Sequence, residues 1–170
     1  MNETEPKIRI GWFSFSCCED NTIVMTELLN ERWQEWRRMF DFRHARVLQT
    51  NNVLDEMDIA FIEGAVAGEP QAERVREIRR LSKLVVAVGS CAVTGMPSAQ
   101  RNLFSDEQKK DIEFLVERFG HLDQVLKLSD VIAVDAEVPG CPMDPQRFLE
   151  TVDRAVETIR SGRGAGGKKD

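Results

Sequence analysis

The side chains with the most distinctive chemistry in this sequence are its four cysteines. Two are adjacent, Cys17 and Cys18, whereas Cys91 lies in a Gly-Ser-Cys-Ala run and Cys141 in a Pro-Gly-Cys-Pro run. A cubane [4Fe–4S] cluster needs one thiolate at each of its four irons, so four cysteines complete its ligand set. The cysteine count therefore predicts one such cluster, held by all four thiolates.

Three other interpretations of the four thiols stay open on residue types alone. Zinc sites usually draw pairs of cysteines spaced by two to four residues, whereas adjacent cysteines suit a larger object than one ion. Free cysteines are often buried as small apolar side chains, and cysteine pairs can also form redox-active disulfides. We favour the cluster over zinc, buried thiols and a redox disulfide.

Strands and helices alternate along the sequence, and this alternation predicts an α/β fold with a mainly parallel sheet. Apolar patterns indicate strands at residues 7–14, 45–48, 58–62, 83–88 and 131–134. Helical spacing and helix-start residues indicate helices at about 19–40, 69–81, 106–119 and 144–159, with a further short helix at 121–128.

Each cysteine motif follows a predicted strand, and so does the Glu63-Gly64 pair. The carboxyl ends of parallel strands meet at one edge of the sheet, where such folds bind their ligands. We therefore expect the three cysteine-bearing loops to converge at that edge. Gly89 and Gly140 beside the cysteines would let the backbone approach a bulky cofactor closely.

Two acidic residues near these motifs are secondary candidates. Glu63 could carry a proton or accept a hydrogen bond near the site, or it could be a strand-end acid in solvent. Glu19 beside Cys18 could lie at a subunit interface, although a first-turn acid also suits the start of a helix. No catalytic residue is predicted in this chain.

The bulk composition is that of a globular protein of 170 residues with a net charge of -6. This charge argues against nucleic acid as a partner, and no apolar run approaches the roughly 20 residues that span a bilayer. We expect a cytoplasmic protein with a single domain at 1–160 and a disordered tail at 161–170, which has no apolar content beyond alanine.

Three further stretches carry a family resemblance. Residues 61–66 resemble the Glu-Gly strand end of one protein family, and residues 88–94, followed by Gly95, Pro97 and Arg101-Asn102, resemble its third-ligand loop. Residues 138–142 match its fourth-ligand motif. The chain resembles the small subunits of [NiFe] hydrogenases and the 20 kDa iron–sulfur subunit of respiratory complex I. Within this superfamily it is most similar to cytosolic hydrogenase small subunits of the NAD(P)-linked and sulfhydrogenase delta types.

The resemblance implies a flavodoxin-like three-layer sandwich with one proximal [4Fe–4S] cluster at the carboxyl ends of its strands. It implies an electron-transfer subunit that lies between a large catalytic subunit and a flavin or iron–sulfur partner. Hydrogenase small subunits usually carry the first two ligands as Cys-x-x-Cys, whereas adjacent Cys17 and Cys18 are similar to the complex I pattern. A quinone-reducing subunit like that of complex I is therefore one alternative. A metal-free or zinc-bound scaffold that lost the redox role is another.

Overall fold

The computed structural model of the chain describes residues 6–162. Its strands are β1 (Ile8–Ser14), β2 (Phe40–Ala45), β3 (Met57–Glu63), β4 (Val66–Gly68), β5 (Ser82–Val88), β6 (His121–Leu126) and β7 (Ala136–Val138). Its α-helices are α1 (Asp20–Met39), α2 (Glu69–Leu81), α3 (Gly89–Thr94), α4 (Asp106–Arg118) and α5 (Pro145–Arg160).

Five strands form the main sheet in the order β2-β1-β3-β5-β7, and every neighbouring pair is parallel. When only the strands of this sheet are numbered along the chain, the order becomes 2-1-3-4-5, which is that of flavodoxin-like folds. The predicted fold class is therefore confirmed. Strands β4 and β6 pair separately as a two-stranded antiparallel ribbon. All seven residues of β3 are buried, as expected for a central strand covered on both faces.

Helices cover both faces of the main sheet and complete three layers. On one face, α1 and α5 pack apolar side chains such as Met25, Leu28, Phe148 and Val152 against β1 and β3. On the opposite face, α2 packs against the other side of the same strands. The two cores flank the strands whose ends carry the cysteine loops.

The prediction of a strand at 45–48 was wrong, because the structure places β2 at Phe40–Ala45 and a turn after it. Helix α1 ends at Met39 and the chain enters β2 without a connecting loop. Phe40 lies in the core, where its ring packs edge-on against Trp36 at 5.7 Å between centroids. Packing of aromatic side chains therefore sets where this strand begins.

Two further elements differ from the sequence-based expectation. Residues 121–126 form strand β6 rather than a short helix, because this segment pairs with β4. The last strand of the sheet lies at Ala136–Val138 rather than at 131–134. Asp135 fixes this register, since its carboxylate accepts from the Val85 N–H at 2.7 Å and its own N–H donates to the Val85 carbonyl at 2.9 Å.

Within residues 6–162, no helix combines the length and the apolar character needed to cross a membrane. Of the tail predicted at 161–170, residues 161 and 162 form a turn after α5, and the remainder lies outside the described residues.

Candidate metal centre

The last residues of four parallel strands form a single row across the sheet. Ser14 pairs in register with Glu63, Glu63 with Val88, and Val88 with Val138. Three of these strands are followed by cysteines at the same offset: Cys17, Cys91 and Cys141 each lie three residues beyond the row. The sheet therefore brings all three cysteine loops to one edge at one level, as the sequence predicts.

The loop between β1 and α1 carries Cys17 and Cys18 and is pinned to the sheet edge by backbone bonds. The Phe15 N–H donates to the Glu63 carbonyl at 2.9 Å, and Ser16 and Ala65 exchange two backbone bonds of 3.0 Å. Glu19 then adopts a left-handed conformation with φ of 63° before the helix begins. Left-handed backbone is uncommon for a residue other than glycine, so the surrounding contacts hold this turn in place.

The second loop forms the short helix α3, in which Cys91 is the third residue and is almost completely buried. Gly89 opens this helix with φ of +81°, and a Cβ there would lie 2.2 Å from the Asn21 side-chain nitrogen. Only glycine fits this close approach between the β5 end and α1 without a displacement.

The third loop, after β7, carries the exposed Cys141. The Ser90 N–H donates to the Gly140 carbonyl at 2.7 Å, which joins this loop to the Cys91 loop. The Met143 N–H donates to the Asn21 side-chain oxygen at 2.8 Å, which joins it to α1. Asn21 therefore contacts the beginning of α3 and the end of the Cys141 loop at the same time.

Ser98 connects the first two cysteine loops directly. Its hydroxyl lies 2.8 Å from the Ser16 carbonyl oxygen and 3.2 Å from the Cys91 sulfur. The Ser16 carbonyl also accepts from the Ala65 N–H at 3.0 Å. The Ser98 hydroxyl is thus within hydrogen-bond distance of two groups, the carbonyl of the residue before Cys17 and the sulfur of Cys91.

The cysteine sulfurs lie close enough for their charges to interact. Burial raises the pKa of the Cys17 thiol to about 12, and the Glu63 carboxylate is the next largest cause. The Cys91 and Cys18 sulfurs contribute to the same rise. The pKa of Cys18 is also raised. The backbone N–H of Asp20 lowers this pKa, but the Asp20 side chain, burial and the Cys141 sulfur raise it.

Glu63 is completely buried within a hydrogen-bond network at this edge. Its Oε1 accepts from the Ser14 hydroxyl at 2.7 Å and from the Thr22 hydroxyl, which in turn accepts from the Trp12 indole N–H at 2.7 Å. Its Oε2 is buried and has no hydrogen-bond partner among the described residues. Glu63 is therefore a buried hydrogen-bond acceptor rather than a strand-end acid in solvent, and its role as a proton carrier stays a prediction. Glu19 is exposed.

The donor set fits an iron–sulfur cluster in kind and in number. Four thiols stand on three loops at one sheet edge, and backbone N–H groups of Glu19 and Asp20 face the Cys17 and Cys18 sulfurs. Thiolates with nearby N–H donors are the usual surroundings of such a cluster. In residues 6–162, no three His, Cys, Asp or Glu side chains converge closely enough to hold a single metal ion.

Sequence reasoning missed three residues that organise this site. Asn21 and Thr22 have the side chains of helix-start residues, yet these side chains bind the Cys141 loop and Glu63 rather than cap α1. Ser98 lies in a segment whose glycine and proline indicate only a loop. The burial of Asn21 and Thr22 at the first turn of α1 is visible only in the fold, because no sequence pattern distinguishes a buried cap residue from an exposed one.

The fold and the cysteine edge define a class of flavodoxin-like proteins with a thiol-rich site beyond the carboxyl ends of the strands. Residues 18–155 match the family model described as NADH ubiquinone oxidoreductase, 20 Kd subunit. The chain belongs to this family.

Relatives and solved structures point to hydrogenase subunits. The chain is 28% identical over 152 residues to a subunit of the F420-non-reducing hydrogenase of Methanothermobacter marburgensis, covering 80% of this chain and 49% of that protein. It is 22% identical over 168 residues to the delta subunit of the NAD-reducing hydrogenase HoxS of Cupriavidus necator, covering 89% and 80%. The chain spans about half the length of several curated relatives, the Methanothermobacter protein included.

The crystal structure of an NAD+-reducing [NiFe]-hydrogenase in the H2-reduced state contains a chain that superposes with a TM-score of 0.76 at 25% identity. The match covers 89% of this chain and 92% of that one. The match is therefore nearly complete in both directions and supports the α/β architecture described above.

Proposed function

We propose that this chain is the electron-transfer small subunit of a [NiFe]-hydrogenase-like oxidoreductase and holds one [4Fe–4S] cluster. The observation that carries the proposal is the common register of the strand ends, which places three cysteines three residues beyond one row of the sheet. The ligands would be Cys17, Cys18, Cys91 and Cys141. When bound, such a cluster accepts and donates single electrons.

The residues around the cysteines would orient the ligands and set the surroundings of the cluster. The Asn21 amide and the Ser90 N–H hold the Cys141 loop against α1 and α3. Cys91 is buried, whereas Cys18 and Cys141 are exposed. The cluster edge would therefore be shielded on the Cys91 side and open on the side of Cys18 and Cys141, where a partner subunit could receive electrons.

A large catalytic subunit and a further flavin or iron–sulfur subunit are the proposed partners. Besides the cysteine edge, the chain exposes large apolar side chains around α4: Leu103 is 75% exposed, Phe114 61% and Phe119 64%. No residue of α4 is buried in the described chain. The proposal assigns this segment to a contact with a partner subunit, because large exposed apolar side chains are buried at protein–protein contact surfaces.

Glu63 and Glu19 complete the proposed site in different roles. Glu19 is exposed at the turn beside Cys18, which suits a contact with a partner subunit. The Oε2 of Glu63 is buried and has no hydrogen-bond partner among the described residues, and the Glu63 charge helps to raise the pKa of Cys17, which suits a group on a proton path. Glu63→Gln keeps Oε1 as an acceptor, so we expect slower hydrogen-dependent dye reduction by the complex with an unchanged cluster signal. An unchanged rate would contradict the proton role.

The ligand assignment is tested by Cys91→Ser and Cys141→Ser. Each variant is expected to lose or degrade the cluster, because a serine hydroxyl replaces one of four thiolates. The measurement is the visible absorption of anaerobically purified protein, together with its iron content. A visible spectrum unchanged in both variants would exclude these cysteines as essential ligands.

A subunit of a quinone reductase like complex I is the second candidate. Adjacent Cys17 and Cys18 favour it, as does the 20 Kd subunit description of the matching family. Purified complexes distinguish the two candidates. Hydrogen-dependent reduction of a dye by a nickel-containing complex supports the hydrogenase assignment, whereas quinone-dependent oxidation without hydrogen activity supports the alternative. Zinc in place of iron would indicate a scaffold that has lost the redox role.

A further inference from the structure

We infer that Ser98 raises the reduction potential of the cluster by donating a hydrogen bond to the Cys91 sulfur. The inference rests on the proposed function, since it needs Cys91 to be a cluster ligand. Ser98 lies on the loop that follows α3, seven residues after Cys91, and its hydroxyl oxygen is 3.2 Å from the cysteine sulfur. This distance is well within the range for an O–H donor and a sulfur acceptor.

The Ser98 hydroxyl has one proton and two acceptors within reach. The other acceptor is the Ser16 carbonyl oxygen at 2.8 Å, which also receives the Ala65 N–H at 3.0 Å. That carbonyl therefore keeps a partner when the hydroxyl turns away. Among the described residues, in contrast, the donor to the Cys91 sulfur is the Ser98 hydroxyl.

The direction of the effect follows from charge. A reduced cluster carries one more negative charge than the oxidised form, and part of that charge resides on the ligand sulfurs. A donor beside a sulfur stabilises the reduced form more than the oxidised form, and hydrogen bonds to the sulfurs are among the factors that set the potential. Burial of Cys91 strengthens the effect, because little water competes with the hydroxyl.

Ser98 is thus a positioning and tuning residue rather than a ligand. Its sequence context gives no sign of this role, because Ser98 follows a glycine, a methionine and a proline in what reads as an ordinary loop. The fold brings it back over the Cys17 and Cys91 loops at once.

The test compares Ser98→Ala with Ser98→Thr and with Ser90→Ala in anaerobically purified full-length protein. Iron and acid-labile sulfide are counted first, and the midpoint potential is then measured by redox titration with electron paramagnetic resonance. Ser98→Ala is expected to shift the equilibrium about tenfold toward the oxidised form, which is about 59 mV for one electron. Ser98→Thr keeps the hydroxyl and is expected to stay near the wild-type potential.

Ser90→Ala is the matched control, since Ser90 adjoins Cys91 but the bonds it makes in the described structure use its backbone. Its potential is expected to equal that of the wild type. A fully loaded Ser98→Ala at the wild-type potential would overturn the inference, and so would a Ser98→Thr that shifts as far as Ser98→Ala. A wild-type chain without iron and sulfide would instead overturn the proposed function and the inference together.

A second readout decides the case in which Ser98→Ala does not retain its iron. Pulsed electron paramagnetic resonance of the reduced wild-type cluster is then recorded in H2O and in D2O, with Ser98→Thr beside it. A strongly coupled exchangeable proton whose coupling differs between serine and threonine at position 98 supports the hydroxyl bond to the Cys91 sulfur, because the exchangeable backbone N–H protons of Glu19 and Asp20 are the same in both proteins. The absence of such a proton overturns that bond.

Discussion

Replacing Thr22 with valine removes one hydroxyl from the network around Glu63 and changes the side-chain shape very little. This hydroxyl donates to Glu63 Oε1 and accepts from the Trp12 indole N–H at 2.7 Å. Trp12, Thr22 and Glu63 are all buried, so water does not replace the missing group. The substitution therefore leaves a buried indole donor without an acceptor and a buried carboxyl group with one donor instead of two.

Each buried polar group that loses its partner costs about 1–3 kcal/mol. The indole N–H loses its acceptor entirely, whereas Glu63 Oε1 loses one hydrogen bond, worth about 0.5–1.5 kcal/mol, and keeps the Ser14 hydroxyl, so the expected loss in the free energy of unfolding is about 1.5–4.5 kcal/mol. This is a large part of the roughly 5–15 kcal/mol that stabilises a typical domain. The lower end applies where Ser14, the remaining donor to Glu63, shifts to compensate.

The assay is urea unfolding followed by circular dichroism, with anaerobically purified protein and Thr26→Val as the matched control. Thr26 lies one turn further along α1, and its hydroxyl donates to the Ile23 carbonyl of the same helix at 2.7 Å. Because Thr26 is not buried, its substitution is expected to cost about 0.5 kcal/mol or less. Equal unfolding free energies for the two variants would refute the argument that the Glu63 network stabilises this edge.

Two further predictions concern the loops themselves. In the metal-free chain, the alkylation rate of Cys17 is expected to be strongly suppressed at pH 9 and to rise toward pH 12. Burial and the Glu63 charge favour the neutral thiol, and only the thiolate reacts. The rate is measured by mass spectrometry, and a rate at pH 9 equal to that of the urea-unfolded chain would contradict this expectation. Gly89→Ala is expected to lower the free energy of unfolding by about 2–5 kcal/mol for two reasons. The backbone φ of Gly89 is +81°, which is strained for alanine, and the new Cβ would displace the Asn21 side chain from the Met143 N–H. Gly162→Ala is its control, since a Cβ there meets nothing within 4 Å, and equal losses for the two would sink the prediction.

The sheet edge and its cysteines could be predicted from sequence because they depend on local patterns. The apolar run of β5 is short and almost without charge, and the glycine and cysteine that follow mark its end. Parallel pairing then fixes where the loops must go, whatever the details of packing. For the same reason the helices α1, α2, α4 and α5 were predicted nearly to their observed ends.

The remaining features depend on contacts between residues far apart in the sequence. Strand β6 has mixed polar and apolar residues and becomes a strand because β4 lies beside it. Ser98 reaches Ser16 across 82 positions, and Asn21 reaches Met143 across 122. Side chains with such distant partners carry no signal in their own neighbourhood, so the sequence pattern alone predicts neither contact.

The central claim is that one iron–sulfur cluster is bound by the four cysteines at the edge of the sheet. The most direct test is the content of iron and acid-labile sulfide in protein purified without oxygen, with electron paramagnetic resonance after reduction. We expect about four irons and four sulfides per chain and a signal that appears on reduction. Zinc, or four titratable thiols without metal, would leave the fold intact and contradict the electron-transfer function.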